Sequence, residues 1–226
     1  MKYFLSSLFI IISLNASDDM FDRGRDIYMS TCISCHGIDG SANAGIQLVV
    51  NPRDLTKSLL NEDQRFQIIK MGTHHWGSYA DIMPSFGSVY DDKEIRSVAH
   101  YITKHFNPNV EKQTEELYAL SDTIPISRQA KMFKRGQKIY KRNCFWCHGE
   151  DGKGDGSATR NPEKSIYPYN LGKTLLTKKQ MFLYAKYGGK YWGSYKSDMP
   201  SWSKKYDDYT IKSVILYIDE KFRKKR

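Results

Sequence analysis

Apolar side chains recur at helical spacing in two segments, which follow the acidic pairs at positions 91–92 and 207–208. The matching apolar positions are Ile95, Val98, Tyr101, Ile102 and Phe106, and Ile211, Val214, Tyr217, Ile218 and Phe222. Residues three, four and seven apart lie on one side of an α-helix, so each segment is predicted to be a helix packed on one face. No segment alternates apolar and polar residues clearly enough to indicate a β-strand. The predicted fold class is all-α.

Shorter helical patterns precede these two segments. Asn61 and Thr177 are suitable N-cap residues, and helices are predicted to begin directly after them. A further helix is predicted just before the first cysteine, where Phe21, Ile27 and Tyr28 recur at helical spacing. Both halves of the chain therefore share one coarse helical plan.

The chain is a tandem repeat. Residues 21–40 recur as residues 133–152, and both copies end in Cys-x-x-Cys-His-Gly-x-Asp-Gly. A Trp-Gly-Ser-Tyr segment and a Met-Pro-Ser-aromatic segment follow in each copy, now shifted by 116 positions. Repeats of this kind predict two copies of one domain, residues 18–107 and 128–226. Residues 108–127, which are polar and contain two prolines, are predicted to be the linker.

All cysteines of the chain lie in the two Cys-x-x-Cys-His motifs. The motif residues are Cys32, Cys35 and His36 in the first copy, and Cys144, Cys147 and His148 in the second. Two thiols at this spacing can bond to the vinyl groups of a haem, and the adjacent histidine then supplies an axial nitrogen to the iron. The sequence predicts two covalently bound haem c groups.

Three other interpretations of the motif are weaker. A thioredoxin-like redox pair requires a βαβ context, which the helical pattern does not provide. A zinc site pairs two such motifs across about 15–20 residues, whereas these lie more than a hundred residues apart. A structural disulfide would not explain a histidine placed identically in both copies.

Met83 and Met199 are the candidates for the sixth iron ligand. They occupy matching positions and each precedes a proline, which holds the residue before it in an extended backbone. A thioether suits low-spin haem iron. The alternative is that both are ordinary core methionines. His74 and His75 are the other candidates in the first copy, but the second copy does not repeat them, and we interpret them as surface or propionate-side residues.

These residues resemble class I cytochromes c, specifically a di-haem cytochrome c of two fused domains. The resemblance covers almost the whole chain beyond its N-terminal segment. It implies that the first and last helices of each domain cross, with Gly24 against Tyr101 and Gly136 against Tyr217. It also implies that each domain is a small helical fold around its haem, which exchanges electrons.

The same resemblance implies which side chains surround the haem. The candidate propionate contacts are Trp76, Tyr79, Trp192, Tyr195 and Arg53. For the four aromatic residues, packing in the haem pocket is an equal alternative. In the family a proline carbonyl often holds the axial histidine, and Pro52 and Pro168 are the candidates here.

The N-terminus predicts the compartment. Lys2, an apolar run and the small Ala16 form the pattern of a secretory signal peptide, so residues 1–16 are predicted to be one. The apolar run is shorter than the roughly 20 residues that a spanning helix needs. We therefore expect export and a periplasmic location.

Charge is distributed unevenly along the chain. The net charge is +10, with 40% apolar and 27% charged residues, which excludes a mostly disordered chain. Residues 18–110 carry a net −3, residues 111–127 a net −3 and residues 128–226 a net +15. We expect an acidic redox partner to dock on the second domain, with anionic lipid or a membrane complex as a further contact. An exported protein is not expected to bind nucleic acid.

The predicted function is that of an electron carrier between a donor and an acceptor in respiration, with no catalytic residue of its own. A di-haem peroxidase would need an open axial position. A thiosulfate-oxidising di-haem enzyme would need a cysteine as distal ligand, and no cysteine remains. The third alternative is the cytochrome subunit of a larger oxidoreductase complex.

Overall fold

The computed structural model describes residues 19–43, 52–78, 83–119, 129–160, 167–194 and 197–223. Within these ranges all regular secondary structure is helical, which confirms the all-α prediction. The predicted signal peptide lies outside the described residues. None of the described helices combines the length and apolar character that crossing a lipid bilayer requires.

The two repeats have matching elements. The first contains α1 (19–27), a π-helical turn (Tyr28–Cys32), α2 (Ile33–His36), α3 (Glu62–His75) and α4 (Asp92–Phe106). The second contains α6 (Gln129–Ile139), a π-helical turn (Tyr140–Cys144), α7 (Phe145–His148), a 3₁₀ turn (Ser157–Arg160), α8 (Lys178–Tyr187) and α9 (Asp208–Phe222). Between them, α5 (Val110–Ala119) occupies half of the predicted linker.

The helices α3, α4, α8 and α9 begin where the sequence predicts. Asn61 and Thr177 accept a hydrogen bond from the third residue of α3 and α8, and a glutamine there bonds back to the cap, which forms a capping box. The side chains of Asp91 and Asp207 likewise accept a hydrogen bond from the backbone N–H of the third residue of α4 and α9. The regular part of α3 ends at Gly72, whose φ is +74°.

Two glycines allow the first and last helices of each repeat to cross closely. A Cβ atom added at Gly24 would overlap the Ser97 carbonyl on α4 and crowd Tyr101, and one added at Gly136 would overlap the Ser213 carbonyl on α9. Gly136 also lies against Tyr217. The crossing that the family resemblance implied is therefore present in both repeats.

An aromatic cluster closes each crossing with nearly identical geometry. The ring centroids of Tyr28 and Phe106 lie 5.1 Å apart, as do those of Tyr140 and Phe222 in the second repeat. Tyr28 and Tyr140 are almost completely buried, and their hydroxyls donate to the carbonyls of Gly37 (2.6 Å) and Gly149 (2.8 Å). These bonds tie each helix crossing to the residue that follows the axial histidine.

The repeats pack against each other through equivalent residues. Gln64 and Gln180 exchange side-chain hydrogen bonds of 2.9 and 2.8 Å, and both are buried. The backbone repeats this exchange, with the N–H of Asp54 donating to Gly193 (3.1 Å) and the N–H of Asn170 donating to Gly77 (2.9 Å). Because each bond has its mirror partner, a pseudo-two-fold axis relates the repeats at this interface.

The linker helix packs on the second repeat. Val110 and Thr114 of α5 are buried, and the Tyr118 ring meets Phe182 of α8 edge to face, with centroids 5.7 Å apart. Glu115 forms an ion pair with Lys179, also on α8. This part of the linker is therefore an ordered connection between the repeats.

Candidate haem sites

Each axial histidine is held by a backbone carbonyl. The Nδ1 atom of His36 lies 3.1 Å from the Arg53 carbonyl oxygen, and that of His148 lies 3.2 Å from the Tyr169 carbonyl oxygen. When Nδ1 carries the proton and donates, Nε2 has a free lone pair for a metal. Burial lowers the pKa of both histidines, which favours this neutral form.

The carbonyls that hold the histidines differ from the expected ones by one position. The family resemblance pointed to Pro52 and Pro168, but the acceptors are the carbonyls of the residues directly after them. The proline prediction is therefore wrong by one residue. In each repeat a single peptide group, after residue 53 or 169, directs its carbonyl to the histidine and its N–H to the other repeat.

The four cysteines are present as thiols beside these histidines. Cys32 and Cys144 each end a π-helical turn, in which the N–H of the next residue bonds to the carbonyl five positions earlier. Such turns place a side chain where a regular α-helix would not, and they are frequent at functional sites. Burial, together with the neighbouring cysteine, raises the pKa of Cys32 and of Cys144 to about 12, so both thiols are neutral.

Both methionine loops run along the end of the helix before them. The N–H of Thr73 donates to the Met83 carbonyl, and that of Gly189 donates to the Met199 carbonyl, each at 3.1 Å. The serine two positions after each methionine donates its hydroxyl to a carbonyl in the last turn of α3 or α8. The sequence-matched methionines therefore stand on matched, fixed backbones.

Further bonds hold each methionine loop against the cysteine motif. Thr31 and Tyr90 share a 2.6 Å hydrogen bond between hydroxyls, and Asn143 donates to the Tyr206 hydroxyl at 2.9 Å in the second repeat. Met83 packs in the same apolar cluster as Cys32. The two sides of each predicted iron site are thus connected in the fold, while ligation by Met83 and Met199 stays a prediction.

The chain's residues fit a covalent haem. Each repeat offers two thiols, a neutral imidazole with Nε2 available and a thioether on a fixed loop. Two buried polar atoms, Thr73 Oγ1 and Trp202 Nε1, have no hydrogen-bond partner among the described residues. Thr73 bonds through its backbone N–H to the Met83 carbonyl, and Trp202 follows Met199 by three residues. Both atoms therefore belong to the methionine loops or their neighbours, where a bound haem with its polar substituents would supply contacts.

The predicted propionate contacts divide into three groups. Trp76 and Trp192 donate their ring N–H to the carbonyls of residues 67 and 183, at 3.2 and 3.1 Å. These bonds favour the packing alternative for both tryptophans. Tyr79 and Tyr195 lie outside the described residues. The Arg53 side chain is partly buried and points away from its own repeat, toward Tyr184 and Trp192.

The alternative histidine ligands of the first repeat lie on the protein surface. His74 and His75 are exposed at the end of α3, as interpreted from the sequence.

Sequence reasoning missed Arg65, whose side chain is only 3% exposed and donates to two backbone carbonyls. Burial lowers the pKa of Arg65 to about 10. A lone arginine inside a helical pattern gives no signal of burial, so only the fold reveals it.

Comparison with known proteins finds relatives among subunits of cbb3-type cytochrome c oxidases. Subunit FixP of the cbb3-type cytochrome c oxidase of Azorhizobium caulinodans is 26% identical over 203 residues, which cover 87% of this chain and 58% of the relative. Subunit CcoP of Cereibacter sphaeroides is 23% identical over 205 residues, covering 87% of this chain and 59% of the relative. The chain thus spans less than two thirds of these relatives.

A solved chain from a reducing HAO-like protein complex of Kuenenia stuttgartiensis covers 89% of this chain at 20% identity, and its TM-score of 0.48 is too low to bear on fold or function. The family model of cytochrome c oxidase, cbb3-type, subunit III, by contrast, matches residues 19–102 and 131–218. These ranges coincide with the two repeats, and each contains one Cys-x-x-Cys-His motif. The chain therefore belongs to the cbb3-type subunit III family and is a di-haem class I cytochrome c, with two covalent haem c groups and a role in electron transfer.

Proposed function

We propose that this protein carries single electrons between respiratory redox proteins in the periplasm and transforms no substrate itself. The observation that carries the proposal is that each repeat connects a carbonyl-held histidine and a fixed methionine loop around one site. A haem that is ligated by the histidine on one side and by the methionine on the other exchanges electrons but leaves no position for a substrate. The N-terminal segment supports export.

In this mechanism the protein's task is to hold the site still. The bound haem supplies a one-electron couple between ferric and ferrous iron. The carbonyls of Arg53 and Tyr169 fix the orientation of the two imidazole rings. The bonds of Tyr90 and Tyr206 keep the methionine loops from opening when the charge at the iron changes. A site that rearranges little between its two states exchanges electrons quickly.

A second candidate function is electron delivery within an oxidase complex. The relatives are named as subunits of cbb3-type cytochrome c oxidases, and this chain matches about 58–59% of their length. In that case the chain would co-purify with a membrane complex. A free carrier would instead be recovered in the soluble periplasmic fraction.

Isolation of the full chain from cells tests the proposal. We expect a red protein in the periplasmic fraction that begins near residue 17 and takes up one electron per haem, because residues 1–16 have the pattern of a signal peptide. We also expect no turnover of added hydrogen peroxide. A colourless chain, a cytoplasmic one, or rapid peroxide turnover with a high-spin spectrum would each contradict the proposal.

We further propose that the partner docks on α6, beside the second haem site. The exposed basic residues along this helix and the π turn after it are Lys131, Lys134, Arg135, Lys138, Lys141 and Arg142. Among the described residues none of them lies within ion-pair distance of a carboxylate. On α1, at the equivalent place, Arg23 and Arg25 are paired with aspartates on the same helix. Trp146, between the two cysteines of the second motif, is 56% exposed and is replaced by Ser34 in the first.

Charge reversal on α6 tests the docking surface. The double variant Lys134→Glu and Lys138→Glu should lower the rate of electron exchange with an acidic iron–sulfur protein by about tenfold or more at low salt, because the steering field is lost. Stopped-flow absorption measures this rate. The control variant, Lys204→Glu with Lys221→Glu, makes the same change in net charge elsewhere on the second repeat. Equal losses in the two variants would contradict docking on α6.

A further inference from the structure

Two arginines of the first repeat, the partly buried Arg53 and the buried Arg65, have only uncharged hydrogen-bond partners among the described residues. The Arg53 guanidinium donates to the Tyr184 hydroxyl and, at 3.3 Å, to the Trp192 carbonyl. Arg65 donates to two carbonyls of its own repeat, at 3.0 and 3.4 Å. The described residues place no carboxylate at ion-pair distance from either guanidinium. Because an unpaired cation is costly to bury, both positions favour an anion nearby.

Arg53 reaches across the interface into the second repeat. Tyr184 and Trp192 belong to that repeat, and the hydroxyl of Tyr169 lies close to the same guanidinium. The Tyr169 carbonyl is the one that holds His148. A cation of the first repeat therefore lies among residues that frame the haem site of the second.

The equivalent positions of the second repeat carry no cation. At the common shift of 116 positions, Tyr169 replaces Arg53 and Met181 replaces Arg65. The backbone bonds at the interface are nevertheless mirrored. The pseudo-two-fold interface is thus symmetric in its backbone and asymmetric in its charge.

We propose that Arg53 pairs with a propionate of the haem in the second repeat and raises the reduction potential of that haem. The proposal rests on the two-haem site described above. Haem propionates are carboxylates, and a guanidinium with its several N–H donors can bind one while it keeps its bonds to Tyr184 and Trp192. A fixed positive charge favours the ferrous state, because that state carries one positive charge fewer than the ferric state. Arg53 therefore acts through its charge on the haem of the neighbouring repeat.

Potentiometric titration of the two-haem protein tests the proposal. In the background Met83→Ala the far-red methionine–iron band reports the second repeat alone, and in Met199→Ala it reports the first. Arg53→Gln should reduce the equilibrium constant for reduction of the second haem about tenfold, which is about 59 mV for a one-electron couple. The first haem should change less. Arg53→Lys keeps the charge and should recover part of the shift, which separates charge from packing.

Arg96→Gln is the matched control, because Arg96 lies in the same repeat with its side chain 53% exposed. Water and salt screen this charge, so neither potential should move. The effect of Arg53→Gln should also persist at high ionic strength, since partly buried charges are screened less than exposed ones. A shift no larger than that of Arg96→Gln, or one confined to the first haem, would overturn the proposal. Each variant is compared with its own two-haem parent, so such a result leaves the proposed function intact.

Discussion

Replacing Gly136 by valine should destabilise the second repeat by about 3 kcal/mol or more. The added side chain would overlap the Ser213 carbonyl and press on Tyr217, so α6 and α9 could not keep their crossing. Neither contact can move away cheaply, because one is backbone and the other belongs to the buried aromatic cluster. Gly24→Val should act in the same way on α1 and α4. Denaturant unfolding of the haem-bound protein, followed by far-ultraviolet circular dichroism, measures the loss.

Lys134→Val is the control for Gly136→Val, since Lys134 is exposed on the same helix. It introduces the same side chain without a steric conflict, and its effect should stay within about 0.5 kcal/mol. Two domains need not unfold in one step, so the transition that moves should be that of the altered repeat. Similar shifts for the glycine and lysine variants would show that the crossing does not depend on the missing Cβ.

Most of the fold inside each repeat could be predicted from local sequence signals. Asn61 and Thr177 mark helix starts because their side chains satisfy backbone N–H groups wherever the helix lies in the protein. The apolar stripes of α4 and α9 follow from helical periodicity alone. Because the chain is a repeat, each of these signals occurs twice. A residue that recurs at the equivalent position, such as Gly24 and Gly136, can therefore be distinguished from a chance occurrence.

The contacts between the repeats could not be predicted in this way. Gln64 and Gln180 look like ordinary capping-box residues in the sequence, and nothing local shows that their amides also meet each other. The sequence predicts a haem propionate as the partner of Arg53, but which repeat's haem site its side chain faces depends on how the two domains pack. Long-range packing of this kind leaves no periodic pattern. The helix α5 inside the predicted linker could not be predicted for the same reason, because the aromatic side chain on which its Tyr118 packs lies on α8.

The two repeats are alike where they hold a haem and different where they meet other groups. The hydroxyl bonds of Tyr28 and Tyr140 and the backbone bonds of both methionine loops are matched. The basic face of α6 and the cation at position 53 occur once each. Two similar haem sites in unequal surroundings are expected to differ in potential and in partner, which would give electron flow a direction.

Removing either methionine thioether should change one haem and leave the other intact. Met83→Ala and Met199→Ala should each abolish about half of the far-red band and produce a high-spin component, because the sixth position then lacks its sulfur ligand. The potential of the altered haem should fall, since thioether ligation raises it. Optical spectra and potentiometric titration of the oxidised two-haem protein measure both effects, and the double variant should lose the band completely.

Two further variants decide between the candidate ligands of the first repeat. Met71→Ala removes a methionine that is 38% exposed on α3, and it should leave the spectrum unchanged. His74→Ala should also have no effect, because His74 is exposed whereas Met83 packs in the cluster that contains Cys32. If His74→Ala altered the haem and Met83→Ala did not, the first site would be ligated by two histidines. The repeats would then differ in ligand chemistry as well as in charge, and the second haem, closed by Met199, would have the higher potential.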